Sequence, residues 1–524
     1  RLPIMVGSKY CHLYGLSPDQ LNELGEDRYE PGGYFIVNGG ERVIISQERI
    51  TDNQFLVWPP VRSSKALVSG EIKSSINQLF YPIKSNLIYV FDKPEDNKGY
   101  FKKNFKDALT IQGAQIYYNL AINSQWRDIY IPIAVVFRAF GIISDRDITL
   151  IITETDKNSI YTKWIKPSLK FAHAIGVNDQ QSARHFIARL RHKYEDPTED
   201  DINYVSSILD KDILPHLMKN VTKKVYYIGS MVKQTLDSYL GLTEYSDRDH
   251  YANKRINLAG HLLLSIFRSK FIALINKLTA ASIRELQNSG RYLTLDKDIR
   301  AIDFTSFFET SLSTGKFKTS YFDTSETGDA VCQQLIAISY IGRLCNLRRI
   351  QSPISASGSK VTKPKQLHES QCGYTCLNET PEGHDVGMIK NLALLSEISL
   401  FDNDYIAPNF VMSLCQVEDL HCILVEDIPF PCDLSKYIRI YTNADLIAMA
   451  ETKYAKKIYD FCVTMKRHNL LPPSYTIELN VYTRSLIIHS DGGRFIRPVL
   501  VVEDNEVLLY KRIREDPTFA KKFF

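Results

Sequence analysis

The chain predicts an α+β fold divided over several domains. Three observations carry that expectation. The 524 residues with 44% hydrophobic content are enough for several cores, about three or four domains at roughly 100–200 residues each. The texture passes from β-rich to mixed, helical, irregular and again β-rich, an order of separate modules and not of an alternating βα unit. No internal repeat is present, and no low-complexity tract is longer than 352–359.

Residues 1–50 read as strands and turns. Tyr34-Phe35-Ile36-Val37 and Val43-Ile44-Ile45 flank Asn38-Gly39-Gly40, two β-prone runs around a turn that tolerates positive φ, and Gly32-Gly33 punctuate the entry. Residues 51–245 are mixed. The stretch 131–143 is largely apolar. The stretch 182–193 has helical spacing, with Phe186, Ile187 and Leu190 on one side and Arg184, His185, Arg189, Arg191 and Lys193 elsewhere, and reads as a solvated basic face. Residues 246–290 predict one or two long helices, because Leu258, Leu262, Leu263, Ile266, Phe267, Phe271, Leu274, Ile275 and Leu278 recur at helical spacing and so point to core packing. Helix and loop continue over 297–345, broken at Gly315 and Gly328. Residues 346–395 are turn-rich and basic, and 397–524 return to short β-like runs at 475–481, 485–489 and 498–502.

Charged residues at 24% and aromatics at 11% describe ordinary globular material and exclude a disordered chain. No window approaches the ~18 apolar residues that a spanning helix needs. The opening RLPIMVGSKY has neither a starting Met nor the basic and apolar regions of a signal peptide, and reads as an interior cut through a longer chain. The net charge of +4 argues for no partner by itself, since nucleic-acid binding needs local clustering of cations. Nine scattered cysteines, an odd number in a long chain, argue against a disulfide framework and for a reducing compartment.

The candidate site lies in 343–382. Arg343, Arg348, Arg349, Lys360, Lys363 and Lys365 fall in a stretch, 343–368, that contains no Asp or Glu. A small-residue loop, QSPISASGS, sits between Arg349 and Lys360. Cations flanking a flexible loop suit a sugar-phosphate backbone, since each neutralised phosphate releases counterions. Gln366 and His368 add hydrogen-bonding groups. The competing reading, a solvated basic loop, stands beside it on composition alone. Glu379-Thr380-Pro381-Glu382-Gly383 follows as a rigid bend, because Pro381 fixes φ and Gly383 permits a left-handed turn. It is either an ordinary surface turn or a pair of carboxylates that orient a cation.

Two temptations toward metal are set aside. His368, Cys372, Cys376 and His384 are spaced H-x3-C-x3-C-x7-H, whereas structural zinc sites favour C-x2-C pairs, which this chain lacks. Cys372 and Cys376 are therefore expected as small buried hydrophobes. Asn443-Ala444-Asp445 has no further carboxylate before Glu451, so 444–450 is expected as a plain helix. Asp491-Gly492-Gly493 reads as a turn. Phosphate-loop, G-x-S-x-G and H-E-x-x-H motifs are also lacking.

A longer pattern decides between the readings. Lys363-Pro364-Lys365-Gln366-Leu367-His368, then Cys376, then Glu379-Thr380-Pro381-Glu382-Gly383, then Gly387-Met388-Ile389-Lys390-Asn391-Leu392 resembles the fork region of the second-largest subunit of multisubunit DNA-directed RNA polymerases. That family carries K-P-R-Q-L-H, C-P-x-E-T-P-E-G and G-L-x-K-N-L there. Gly32 to Gly39 with Glu41-Arg42-Val43 and Gln47-Glu48-Arg49 resembles the first half of its protrusion. Asp247-Arg248-Asp249-His250 with Lys254-Arg255 and Leu258-Ala259-Gly260 resembles the second half. Leu347-Arg348-Arg349 is similar to the segment before the second fork loop. Gly493-Arg494, Arg497-Pro498 and Val502-Glu503-Asp504 are similar to the external domain. The likeness is to the eukaryotic, archaeal and large-DNA-virus branch. Lys365 in place of Arg, Leu377-Asn378 after Cys376, and His384-Asp385 mark a divergent member, as a viral enzyme would be.

The resemblance implies a protrusion in 1–55 and 246–312, a lobe in 56–245, a fork in 313–396 and external domains in 397–524. It implies a subunit of a nucleotidyltransferase that lines the DNA cleft, inactive alone, with Mg2+ held mainly by the largest subunit and zinc only beyond residue 524. Arg348, Arg349, Lys360, Lys363, Lys365, Gln366 and His368 are the implied nucleic-acid contacts. Gln366 and Glu382 would stand near the active centre, and Glu382 would hold a cation such as Lys365. The implied partners are the largest subunit, small assembly subunits, template DNA, transcript RNA and nucleoside triphosphates, without a membrane. The implied place is intracellular: the nucleus for a cellular enzyme, the host cytoplasm and virion for a viral one. The alternative is a non-catalytic nucleic-acid-binding or assembly scaffold that retains the fold.

Overall fold

A computed structural model describes residues 2–59, 65–76, 84–94, 108–121, 129–155, 160–191, 197–289, 304–317, 330–352, 362–401, 403, 405–428, 432–503, 505–516 and 518. The chain forms two compact units, one from 1–50, 249–401 and 492–524, the other from 51–248 and 402–491. Among the described residues, no helix is long and apolar enough to cross a membrane.

The first unit begins with the predicted hairpin. Phe35–Val37 pairs with Gly40–Ile44 in the register Val37 opposite Gly40, and the two turn residues Asn38 and Gly39 both take positive φ, at 51° and 76°. That two-residue turn matches the right-handed twist of the strands. Phe35 and Val37 are buried while Ile36 between them is exposed, the alternation of a one-sided sheet. Cys332–Gln334 adds a third strand to Gly40–Ile44. Leu262 and Ile266 from the helix Ala259–Ser289, and Phe308 and Leu312 from Phe304–Thr314, close the core over Phe35, Val37 and Ile44.

The long helix corrects one expectation. Its first turns bury Leu262 and Ile266 with Leu263 and Phe267 packed beside them, and Leu274 is buried, but the expected Phe271 and Ile275, with Ile272, Ile283 and Leu286, are exposed. Periodicity identifies an apolar face without saying what covers it.

A second sheet in this unit has the order Ile389–Asn391, Arg349–Gln351, Ser46–Ile50, Lys254–Asn257. Its middle pair is parallel and its outer pairs antiparallel. Four short strands from distant parts of the chain thus meet side by side, which matters below. Glu397–Ile398 and Phe495–Ile496 form a separate two-stranded ladder.

The second unit holds an antiparallel meander of Phe55–Trp58, Val68–Ser74, Lys84–Phe91, Gln115–Ala121 and Ile131–Pro132. Val68–Ser74 alternates strictly between buried and half-buried residues. Six α-helices between Ile133 and Tyr239 follow among the described residues. The other sheet has the order Cys422–Leu424, Asp445–Glu451, Tyr437–Thr442, Ser485–His489, Thr476–Asn480. One apolar core runs from Ile88, Tyr118, Phe137 and Ile228 to Leu446 and Met449, so 402–491 shares the unit of 51–248.

Three local expectations change in this unit. Residues 444–450 are not a helix: Asp445–Glu451 is a central strand, with Leu446 to Ala450 all buried. Leu, Ala and Met favour helices in isolation, but a sheet interior buried on both faces accepts any continuous apolar run. Helices Ile406–Leu414 and Ala455–Arg467 interrupt the expected β-rich region, whose strands at Thr476–Asn480 and Ser485–His489 do form. In the first unit, the β-like run at 498–502 yields only Val502–Glu503. The basic helix forms as Gln180–Arg191, yet its cations are not simply solvated. Arg184 donates to the Ala139 carbonyl, and Arg191 lies 3.9 Å over the Tyr204 ring and 3.8 Å from Asp201.

Candidate nucleic-acid interface

The site is built on the four-stranded sheet of the first unit. Glu48, at the centre of Ser46–Ile50, is 4% exposed and faces Lys254 and Lys390 from the two outer strands. Lys390 Nζ donates to Glu48 Oε2 at 2.9 Å, and Lys254 Nζ donates to Glu48 Oε1. Asp249 stands 3.8 Å from Lys254, and both ammonium groups lie over the Tyr251 ring, at 5.6 and 5.5 Å. Burial pushes the Glu48 carboxyl up, but Lys390 and Lys254 outweigh it and hold the group below its ordinary range. Burial, with Glu48 beside it, pushes the Tyr251 phenol well up. Arg49 Nε donates to Asn257 Oδ1 at 2.9 Å. A buried carboxylate between two lysines specifies how strands 46–50, 254–257 and 389–391 align, because a register slip would strand a charge in the core.

This cluster was not singled out from the sequence as a site. The available signal was charged residues inside β-prone runs, Gln47-Glu48-Arg49 and Lys254-Arg255, where a half-exposed strand would place them outward.

Arg348 and Arg349 enter the sheet at the end of the helix Tyr340–Leu347. The Arg348 guanidinium points at backbone, not solvent. Its Nη2 donates to the carbonyls of Ala393, Leu394 and Ser396 at 2.7, 3.4 and 3.2 Å. Arg349 pairs across the ladder with Asn391 and is half-buried. Lys360 lies outside the described residues.

The basic segment itself packs on the carboxylate turn. Lys363–Lys365 is a single 3-10 turn, with Pro364 at a position where no backbone N–H is needed. Gly387, at φ 72°, lies so close to the Lys365 backbone that a Cβ there would stand 2.2 Å from the Lys365 carbonyl oxygen. Glycine is the residue that allows this approach. Thr380 fastens the other side: its hydroxyl accepts from the Gly387 N–H at 2.9 Å and donates to the Ile389 carbonyl at 3.1 Å. Gly383 takes φ 85°, as the bend requires.

Lys363, Gln366 and Glu382 are exposed, while Lys365 and His368 are half-buried. Lys365 Nζ donates to the His384 carbonyl at 2.9 Å, so it caps backbone in place of the carboxylate partner expected for it. Glu382 makes no ion pair with a described residue. The His368 ring contacts the Ser370 hydroxyl at 2.6 Å and meets the His250 ring edge-on at 5.6 Å. Ser370 in turn accepts from the Tyr251 N–H at 3.0 Å, tying this segment to the buried cluster. Cys372 and Cys376 are exposed, against the expectation of burial: Cys372 lies in a turn, and Cys376 borders the sheet, its N–H donating to the Asn391 carbonyl at 2.9 Å. Among the described residues, no group of three His, Cys, Asp or Glu side chains is arranged to hold a metal ion.

The Gly493 segment completes the unit. Ile256 N–H donates to the Gly493 carbonyl at 2.8 Å, and Arg497 lies 5.2 Å from the Tyr374 ring centre over space that Gly373 leaves open. Chemically, the surface offers exposed cation and amide groups on a rigid turn, suited to phosphate and sugar contacts that position without reading sequence.

Comparison with known proteins gives consistent matches. The family model described as RNA polymerase beta subunit matches residues 1–306. Those described as RNA polymerase Rpb2, domain 3 and domain 4, match 333–398 and 440–503. The DNA-directed RNA polymerase II subunit 2 of Arabidopsis thaliana is 30% identical over 515 residues, 98% of this chain and 41% of that protein. The DNA-directed RNA polymerase subunit Rpo2 of Sulfolobus acidocaldarius is 32% identical over 527 residues, 97% of this chain and 42% of that protein. The DNA-directed RNA polymerase II subunit RPB2 of Encephalitozoon cuniculi is 30% identical, covering 97% and 42%. The chain spans about two-fifths of the length of these curated relatives.

Proposed function

We propose, from the premise that this chain belongs to the RNA polymerase beta subunit family, that it forms part of the second-largest subunit of a DNA-directed RNA polymerase and lines the nucleic-acid cleft with its fork. The observation that carries this reading is the convergence described above. Residues 46–50, 254–257, 349–351 and 389–391 meet in one sheet, locked by Glu48, and that sheet anchors the segment 363–368 against the turn 380–387. The complete enzyme transfers a nucleotidyl group from a nucleoside triphosphate to the 3′-hydroxyl of RNA, with Mg2+ held mainly by the largest subunit. The part of this chain in that reaction is positional: its fork segment holds and orders nucleic acid.

Lys363, with Lys360 and Arg349, contacts phosphates at the bubble edge. Gln366, exposed and able both to donate and to accept, addresses the sugar or base of the RNA end. Glu382, exposed and without an ion pair to a described residue, orients a cation supplied by the rest of the enzyme. Arg348, Lys365 and His368 act through the backbone and ring contacts they make, as positioning residues. The protrusion corresponds to 1–55 and 246–312, the lobe to 56–245, the fork to 313–396 and the external domains to 397–524. The largest subunit, small assembly subunits, DNA, RNA and nucleoside triphosphates are the partners. A cellular enzyme would work in the nucleus, a viral one in host cytoplasm and virion.

Photo-crosslinking tests the reading. In the complete enzyme, a reactive group at position 363 should capture template or transcript near the bubble edge. Capture of neither, in an enzyme that transcribes normally, would refute the placement. RNA synthesis by this chain alone with Mg2+ would refute the positional role.

A further inference from the structure

We infer that the second unit carries a docking pocket for a carboxylate-rich peptide segment with apolar side chains, between the helices Asp145–Thr153 and Thr162–Ala174. The inference does not rest on the function proposed above. A cavity of about 590 Å³ opens there, within the size range of built ligand sites, roughly 300–1,000 Å³. Leu150 and Leu169 contribute apolar lining, and Arg146, Lys166 and Lys170 contribute cations. Thr149, Thr155 and Thr162 add hydroxyls.

The charge balance indicates the sign of the ligand. Among the described residues, Asp145 is the one acidic side chain lining the cavity. Its carboxylate is already engaged by Arg138, a guanidinium only 1% exposed, at 2.6 Å, and by His173 at 2.8 Å. It therefore has little charge left to offset the cations. Lys166 and Lys170, four residues apart on one helical face, are exposed and make no ion pair with a described residue. Like charges at that spacing destabilise a helix slightly, a cost that an anion between them would relieve.

The shape favours peptide over nucleic acid. A cavity with leucine lining differs from a long cationic groove that tracks a backbone, and the one aromatic ring among its described lining residues, His173, is held by Asp145 at 2.8 Å. Carboxylates suit the lysine pair, while a neighbouring leucine-type side chain fills the apolar part.

The test uses the full chain and a short fluorescein-labelled peptide of alternating aspartate and leucine, read by fluorescence anisotropy. The expected result is saturable binding that weakens with salt. It should be roughly tenfold or more weaker in K166E/K170E. Those lysines are exposed, so circular dichroism should show an unchanged fold, and R146E on the facing helix gives an independent second variant. A peptide with serine in place of leucine should bind more weakly. No saturable binding, or equal binding by both charge-reversed proteins, overturns the site. Equal binding of the serine peptide overturns the apolar assignment. Displacement by a single-stranded oligonucleotide that itself loses affinity in K166E/K170E overturns the peptide reading in favour of a phosphate backbone.

Discussion

Glu48→Ala should be among the most damaging single substitutions in the first unit. The side chain is 4% exposed and holds two ammonium groups, Lys254 and Lys390, that are themselves 8% and 5% exposed. Alanine would leave both lysines buried, with Asp249 at 3.8 Å from one of them as the remaining carboxylate among the described residues. Breaking a buried ion pair by removing one partner costs roughly 3–5 kcal/mol, because the stranded charge keeps its desolvation penalty. For a unit of this size each kcal/mol lowers the melting temperature by about 2–4 °C, so a fall of roughly 6–20 °C is expected. Calorimetry on the full chain should show the transition of the unit carrying 1–50 moving down while that of the 51–248 unit stays put. Replacing the triad together, E48M/K254M/K390M, should restore most of the loss, since no charge is then left alone. The pH dependence has a defined sign. The folded-state carboxyl titrates below its ordinary 4.5. Its contribution is therefore complete above that value and is lost as pH falls through the lower folded-state value. A shift for Glu48→Ala no larger than a surface change gives, within about 0.5 kcal/mol, would refute the reasoning.

Arg348→Ala should cost roughly 1–3 kcal/mol by leaving the carbonyls of Ala393, Leu394 and Ser396 without their donor. Hydrogen exchange should speed up locally in strands 389–391 and 397–398, and unchanged exchange there contradicts the clamp. Lys363→Ala in the complete enzyme should weaken binding alike on all templates and reduce the salt slope by about 1, whereas a sequence-dependent loss opposes a phosphate contact. Glu382→Ala should change elongation rate or misincorporation with assembly intact, and blocked assembly with normal elongation would make the turn structural. His216, buried beside Ser74, is pushed down to about 3 by burial, with Lys224 adding to the effect. The unfolded chain therefore takes up the proton first, so the second unit should lose stability as pH falls from the ordinary 6.5 toward 3. His216→Phe should flatten that slope in an acid-melting series.

Much of the local structure and the family was legible in order along the chain. The hairpin at Phe35–Val37 and Gly40–Ile44 follows from Asn38-Gly39 between β-prone runs, because only a few turn chemistries satisfy a two-residue loop. The helices Gln180–Arg191 and Ala259–Ser289 follow from periodicity, and Lys363 to Leu392 carries its family motif in one contiguous run. These features depend on neighbours within a few residues, which a linear reading contains. Tertiary structure decided everything that depends on partners far away. Asp445–Glu451 became a strand because strands 422–424 and 437–442 pair with its two edges and apolar cores cover both its faces, whatever its residues prefer alone. Arg348 became a carbonyl clamp and not a free cation because residues 393–396 fold back over it. Glu48, unremarkable in a β-prone run, became the centre of the site because Lys254 and Lys390 arrive from more than two hundred and more than three hundred positions away. Charge is written in the sequence, but whether it meets water or an opposite charge depends on burial, and burial is a property of the folded chain.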